Sequence, residues 1–276
     1  MTIADASVPS PADLLVLARD IAVSAGSFAL EARRAGVEVA ATKSTPTDIV
    51  TAVDRDTESF IRRLILEARP DDGILGEEEA THIGTSGLDW IVDPIDGTVN
   101  FLYGIPSWAV SIAVVSESSE PGSWTALAGV VVNPVTGELF EASAGGGARL
   151  GGRELRTVDE VALGQALVGT GFSYAAERRG EQAEVLTRLL PRVRDLRRMG
   201  AASLDLCSVA AGRLDAFYEV GLNPWDHAAG ALIAREAGAV ITGPGGGRES
   251  HEFLVAAVPG LHEDLVAALR EAGAPA

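Results

Sequence analysis

The chain has 276 residues, 47% of them hydrophobic, with 22 basic against 39 acidic side chains and a formal charge of −17. Such a composition builds a globular protein with a sizeable core. Its negative balance argues against nucleic acid or an anionic membrane as a partner held by bulk electrostatics. The one cysteine, Cys207, lies in an apolar run, so no disulfide can form within the chain and a buried structural thiol is expected. Residues 1–7 carry no basic n-region or apolar h-region, and no window is long and apolar enough to span a membrane. A cytoplasmic protein is therefore expected.

Apolar residues at helical spacing (Leu14, Leu15, Leu17, Ala18, Ile21, Ala22) predict a helix over 12–34, closed by Arg33, Arg34 and Gly36. A short strand over 37–41 leads into a polar loop, Lys43-Ser-Thr-Pro-Thr-Asp48. A second helix starts at Asp54 or a neighbour and runs to about Ala68, with Phe60, Ile61, Leu64 and Ile65 as its buried stripe. Strands follow at 74–75, 90–92, 109–116, 124–133 and 138–142, in a mostly antiparallel sheet with turns at 134–137 and 145–147. The second half then alternates: helix 180–191, strand 193–197, helix 202–212, strand 214–219, helix 226–237, strands 239–242 and 253–256, helix 261–272. Alternation of this kind predicts a layered α/β lobe. The glycine runs at 145–147 and 243–247 are not followed by Lys-Ser/Thr, so they read as turns and not as a nucleotide loop.

The most informative segment is Trp90-Ile-Val-Asp93-Pro-Ile-Asp96-Gly-Thr98-Val-Asn100-Phe. An apolar strand delivers Asp93, a proline stops it, and Asp96-Gly97-Thr98 follows where a helix can begin. Two carboxylates on one turn are costly to desolvate unless a positive charge joins them. A hard cation such as Mg²⁺ takes oxygen ligands and often brings a phosphate with it, and a helix N-terminus at Gly97-Thr98 would aim N–H groups at that phosphate. A plain strand end followed by a helix cap explains the same residues, so both readings stand at this point. Glu77, Asp54 and Asp226 also follow apolar stretches. Each has an ordinary alternative, a solvated acidic turn for 77–79 and helix caps for the two aspartates. The chain offers few lysines to pair with buried carboxylates, and a polynuclear Mg²⁺ site would make up that deficit.

Gly76-Glu77-Glu78, the 90–101 segment and Trp225-Asp226-His-Ala-Ala-Gly230 resemble the signatures of the inositol monophosphatase family, and most closely its bacterial SuhB-type members. Lys43–Asp48 followed by Asp54 fits that family's mobile loop, and Gly200-Ala-Ala-Ser-Leu-Asp-Leu-Cys207 through Asp215-Ala-Phe-Tyr-Glu219 adds to the likeness, which runs over about 12–272.

The resemblance implies a layered αβαβα sandwich of the α/β (α+β) class, the whole chain 1–276 forming one domain with lobes at 12–150 and 151–276, usually a homodimer. It implies a lithium-sensitive, Mg²⁺-dependent phosphomonoesterase using two or three ions. Glu77, Asp93 and the Ile95 carbonyl would hold one ion, Asp93, Asp96 and Asp226 a second, and Glu77 would help a weaker third through water. Gly97 and Thr98 N–H groups would bind phosphate, while Thr98 and Asp54 would orient and deprotonate the attacking water, with Glu77 also counted as catalytic. Ala202, Glu219 and Asp226 would face the substrate's polyol part. Inositol 1-phosphate is the favoured substrate. Histidinol phosphate and fructose 1,6-bisphosphate are the alternatives in the same class, and a non-catalytic regulatory protein is the alternative in another. Two positions depart from the pattern: Ala201 stands where a Ser or Thr is common, and His227 where a small or aliphatic residue is. His227 is read as a packed helix histidine, because Mg²⁺ prefers oxygen. His82, His251 and His262 are given no role.

Overall fold

The computed structural model describes residues 9–36, 39–42, 49–117 and 123–276. The loop at 43–48 and the opening segment 1–7 lie outside them. The first half runs α1 (Pro11–Ala35), β1 (Val39–Thr42), β2 (Ile49–Thr51), α2 (Ala52–Ala68), β3 (Gly73–Gly76), β4 (Leu88–Asp96), α3 (Thr98–Tyr103), β5 (Ala109–Ser116), β6 (Thr125–Asn133), β7 (Glu138–Ser143), β8 (Gly147–Leu150) and β9 (Arg153–Leu155). The second half runs β10 (Leu167–Thr170), α4 (Ala176–Leu189), β11 (Asp195–Arg197), α5 (Ala202–Ala210), β12 (Ala216–Glu219), α6 (Pro224–Glu236), β13 (Val240–Thr242), β14 (Leu254–Ala257) and α7 (Pro259–Ala272).

Strands β3 to β9 form one seven-stranded sheet in sequence order, antiparallel except for the parallel pair β3–β4. Period-two alternation sends opposite faces of this sheet to different cores. Trp90, Val92, Val110, Ile112, Val114, Val130 and Val132 pack against Leu14, Ala18 and Ile21 of α1 and Ile61 and Ile65 of α2. Ile91, Ala113, Val115, Val131 and Phe140 meet Leu206, Ala229 and Ile233 from α5 and α6. Full burial of each large aliphatic contributes roughly 1.5–3 kcal/mol.

The second sheet has the order β11-β10-β12-β14-β13. One face, with Phe217, Leu254 and Ala256, shares the α5/α6 core. The other face, with Val168, Tyr218 and Val255, packs on Leu189 of α4 and Leu261, Leu265 and Leu269 of α7. Helices, sheet, helices, sheet, helices follow one another, which is the expected αβαβα sandwich.

The differences from the sequence reading have local causes. The helical stripe of α2 also buries Asp54, Thr57, Glu58 and Arg62, and an apolar-only search cannot see these. Strands β2, β8, β9 and β10 have no counterpart in the sequence reading: each has three or four residues, and the Gly145–Gly147 and Gly151-Gly152 runs beside β8 and β9 read as turns. Within the small sheet β10 runs parallel to β11 and β12, and β14 runs antiparallel to both β12 and β13, a detail on which the sequence reading was silent.

Candidate active site

Asp93 lies on the face of β4 that looks towards α5 and α6, in register with Ser111 of β5. Pro94 and Ile95 interrupt the β4–β5 register between Asp93 and Asp96. The break turns the strand end over so that both carboxylates reach one cleft. Gly97 then adopts φ 94°, and a Cβ there would stand 3.0 Å from the Ser107 carbonyl and 3.1 Å from that of Gly200, so a side chain would be strained twice over. Helix α3 starts at the next residue.

Asp226 comes from the first turn of α6, where its Oδ2 accepts the Asn223 N–H at 2.6 Å. Asp226 is thus not the expected N-cap: Asn223 holds that position and Asp226 closes the capping box from the third helical residue, with its other oxygen towards the cleft. Carboxylate oxygens of Asp93, Asp96 and Asp226 all lie within 4.8 Å of one another. Asp93 is 1% and Asp96 7% exposed. Asp93 Oδ1 accepts the Ile95 N–H at 3.0 Å, and Asp96 Oδ2 accepts both the N–H (2.8 Å) and the hydroxyl of Ser203 on α5. Glu77, just beyond β3, lies outside the three-aspartate group. It lines the same cleft and shares a hydrogen bond with Asp93.

Thr98 Oγ1 donates to Asp54 Oδ1 at 3.1 Å and to the Ile95 carbonyl at 3.2 Å. Asp54 is fully buried on α2, where Thr51 donates its N–H (2.8 Å) and its hydroxyl to Oδ2. Asp54 is thus a helix-capping residue and a partner of Thr98 together. It reaches the cleft only through that threonine.

The cleft, about 570 Å³, is lined by every predicted site residue except Asp54. Ala202, at the start of α5, and Glu219, at the end of β12, form part of its wall. Six carboxylates line it (Glu77, Asp93, Asp96, Asp205, Glu219, Asp226) against two arginines, Arg178 and Arg198. Crowding and burial push the acids up. Burial, then Glu77, Asp96 and Asp226, raises Asp93 well above the usual carboxylate range. Burial raises Asp226, with Glu77 and Asp96 adding to it. Burial also raises Asp96 to about 6 despite the Ser203 hydrogen bonds, and Glu219 to about 8.

None of the three clustered aspartates has an ion-pair partner among the described residues. An all-oxygen donor set that is buried, mutually repelling and unpaired fits a hard divalent cation. The N-termini of α3, α5 and α6 converge on the same space, so their dipoles add positive potential where an anion would sit.

Sequence reading missed Asp205, Ser203, Arg198, Arg178 and His251, the last three because exposed polar residues carry no signal of where they point. Asp205 had a usable one: it is an acid inside the apolar run Leu204-Asp205-Leu206-Cys207. Burial, followed by Glu219 and Asp96, raises its carboxyl well above the usual range. Cys207 is fully buried as expected. His227 is a packed residue, its ring against Trp124 at 5.8 Å, and burial lowers it to about 4. Ala201 is buried and supplies no hydroxyl, its side chain facing Gly97.

The profile of the inositol monophosphatase family matches residues 11–274. Inositol-1-monophosphatase SuhB of Mycobacterium tuberculosis is 44% identical over 281 residues, which covers 94% of this chain and 94% of that protein. A solved structure of Mycobacterium tuberculosis SuhB superposes with a TM-score of 0.81, covering 98% of this chain and 100% of that one. The extragenic suppressor protein suhB of Bartonella henselae gives 0.86 at 35% identity, covering 94% and 99% of the two chains. The Nus factor SuhB of Salmonella typhimurium is 37% identical over 87% of this chain and 93% of its own length. On this likeness, and with the acidic cleft in place, the chain belongs to the inositol monophosphatase family of phosphatases.

Proposed function

We propose that this phosphatase hydrolyses inositol 1-phosphate, or a closely similar polyol monophosphate, to the free alcohol and inorganic phosphate with Mg²⁺ as cofactor. The observation that carries the reading is the Asp93–Asp96–Asp226 cluster, two of its carboxylates buried and the third half-buried, lying beside a Thr98–Asp54 hydrogen bond. Glu77, Asp93 and the Ile95 carbonyl would hold one ion, Asp93, Asp96 and Asp226 a second, and Glu77 a weaker third. Bound Mg²⁺ supplies Lewis acidity and neutralises the charge that develops on the phosphoryl and leaving oxygens.

The remaining work falls to the chain. Gly97 and Thr98 N–H groups at the start of α3 would receive the phosphate oxygens. Thr98 Oγ1 would accept the proton of the attacking water and pass its own proton to Asp54, whose other oxygen Thr51 holds in place. Glu77 assists by orienting the water. Water adds to phosphorus in line as the ester P–O bond breaks, and the leaving alkoxide takes a proton from solvent water to become the alcohol. Phosphoryl transfer of this type depends on positioning and charge neutralisation more than on covalent catalysis. Ala202, Glu219 and Asp226 would face the polyol ring.

This reading takes residues 1–276 as one functional unit whose 12–150 and 151–276 lobes both build the cleft. It takes a cytoplasmic, lithium-sensitive homodimer as the working form, acting on a small phosphorylated polyol and not on nucleic acid or a membrane. A regulatory role has one specific observation in its favour, the Nus-factor name of the Salmonella relative. Against it stands the Thr98–Asp54 pair, which a binding module would not need. Phosphate release from inositol 1-phosphate, histidinol phosphate and fructose 1,6-bisphosphate, with Mg²⁺ and with chelator, decides the matter. Turnover should require Mg²⁺ and favour inositol 1-phosphate in kcat/KM. No turnover of any ester at saturating Mg²⁺ would reject the catalytic reading.

A further inference from the structure

The wall of the cleft contains a carboxyl group that the proposed chemistry does not use. Asp205 sits in the first turn of α5, between core residues Leu204 and Leu206, and is 1% exposed. Its Oδ1 has no hydrogen-bond partner, and the side chain enters no ion pair among the described residues. Asp205 nevertheless lines the cleft, on the same wall as Glu219, Arg198 and Ala202. A buried acceptor left without a donor is rare in folded proteins, because burial costs it the hydrogen bonds it had with water. Structure alone gives no return for that cost: the neighbouring α5 positions are apolar, and an apolar residue would pack there with no polar atom to satisfy.

We propose that Asp205 is a specificity-determining residue that accepts a hydrogen bond from a ring hydroxyl of the substrate, beside Glu219 at the end of the cleft away from the phosphate. This rests on the phosphatase reading above and narrows its substrate class to monophosphates bearing neighbouring hydroxyl groups. Glu219 also makes no hydrogen bond within the described residues, and it projects from the end of β12 into the same space. Two acceptor groups side by side suit two adjacent donors, the pattern of a vicinal diol. They offer nothing to a flat aryl ester and repel a second phosphate.

The test compares Asp205→Leu and Asp205→Asn with the parent enzyme at saturating Mg²⁺, using inositol 1-phosphate, histidinol phosphate and p-nitrophenyl phosphate. For Asp205→Leu the ratio of kcat/KM for inositol 1-phosphate to that for p-nitrophenyl phosphate should fall by about 10- to 100-fold, chiefly through KM. Asp205→Asn keeps an acceptor oxygen and should recover part of the ratio. Equal losses on both esters would overturn the proposal, since that is the mark of a structural role. A ratio that does not move overturns it too. A greater loss on histidinol phosphate than on inositol 1-phosphate would assign the carboxyl to an ammonium group and overturn the polyol assignment. If the leucine variant does not fold, the asparagine variant carries the same ratio test, with its thermal midpoint as the check. Parent enzyme that turns over none of the esters would reject the phosphatase reading itself, a result distinct from all of these.

Discussion

Asp93 is held among like charges in the cleft. It is buried, it faces Glu77, Asp96 and Asp226, and it has no cation of its own among the described residues. With Mg²⁺ bound as proposed, the same crowding would become an asset, since the cation's charge would offset the repulsion among the carboxylates. Asp93→Asn should therefore act in opposite directions on two measurements. Phosphate release should drop by more than about a thousandfold, while the thermal midpoint of the chelated protein should rise because a buried like-charge contact is gone. Near-normal turnover would remove Asp93 from the metal site, and a lowered midpoint would show that the carboxylate stabilises the free protein. The acids at 77, 93, 96 and 226 were legible because each ends an apolar stretch. The placing of Asp54 was half legible: a capping position and a proposed catalytic role could be read, but not that Thr51 is the N-cap and fixes the carboxylate that Thr98 meets.

Helices α5 and α6 hold the two halves of the cluster against each other. Ser203 on α5 grips Asp96, and α6 presents Asp226. Their close approach depends on Gly230, where a Cβ would meet Leu206 Cβ at 2.8 Å and the Ser203 carbonyl at 3.1 Å. Gly230→Ala must push the helices apart. It should cost about 1–3 kcal/mol in unfolding free energy and raise the Mg²⁺ concentration needed for half-maximal activity by about tenfold, as disturbed supporting contacts do at metal sites. Denaturant melts and a Mg²⁺ titration of activity measure the two effects. An alanine variant with the parent's Mg²⁺ dependence would show that helix spacing does not set the cluster. Elements of this length were read well from period: α1, α2, β5, β6, α6 and α7 lie within a few residues of their expected bounds. The short strands β2, β8, β9 and β10 were not: each has three or four residues, and the glycine runs beside β8 and β9 read as turns.

A molecule with a formal charge of −17 that gathers six carboxylates in one cleft couples its stability to both pH and cations. Asp96, raised to about 6 from 3.8, and Glu219, raised to about 8 from 4.5, bind protons more tightly folded than unfolded. Their contribution is fully present below the unfolded values and is lost as pH rises through the folded ones. His227, lowered from 6.5 to about 4, acts oppositely, but only below about pH 6.5. The clean window is therefore roughly pH 6.5–8. There the chelated protein should lose thermal stability with rising pH, and saturating Mg²⁺ should raise the midpoint more at the upper end than at the lower. Differential scanning calorimetry with and without chelator reads both. A chelated midpoint that climbs across the window would contradict the charge-crowding account.

The local order Asp93-Pro-Ile-Asp96-Gly97-Thr98 was readable from the chain because its geometry is nearly all local: a strand end, a bulge, a left-handed glycine and a helix start. The helix starts were legible less closely: Asp54 and Asp226 read as N-caps, whereas Thr51 and Asn223 hold those positions and the two aspartates close the capping boxes from the third helical residue. Which distant residues join them is a matter of packing. Asp226 reaches Asp93 and Asp96, and Asp205 comes to share a wall with Glu219, only because α5 and α6 are pressed between two sheets. Hydrophobic periodicity says that a helix face is buried but not which face it is buried against, so that choice belongs to the folded molecule.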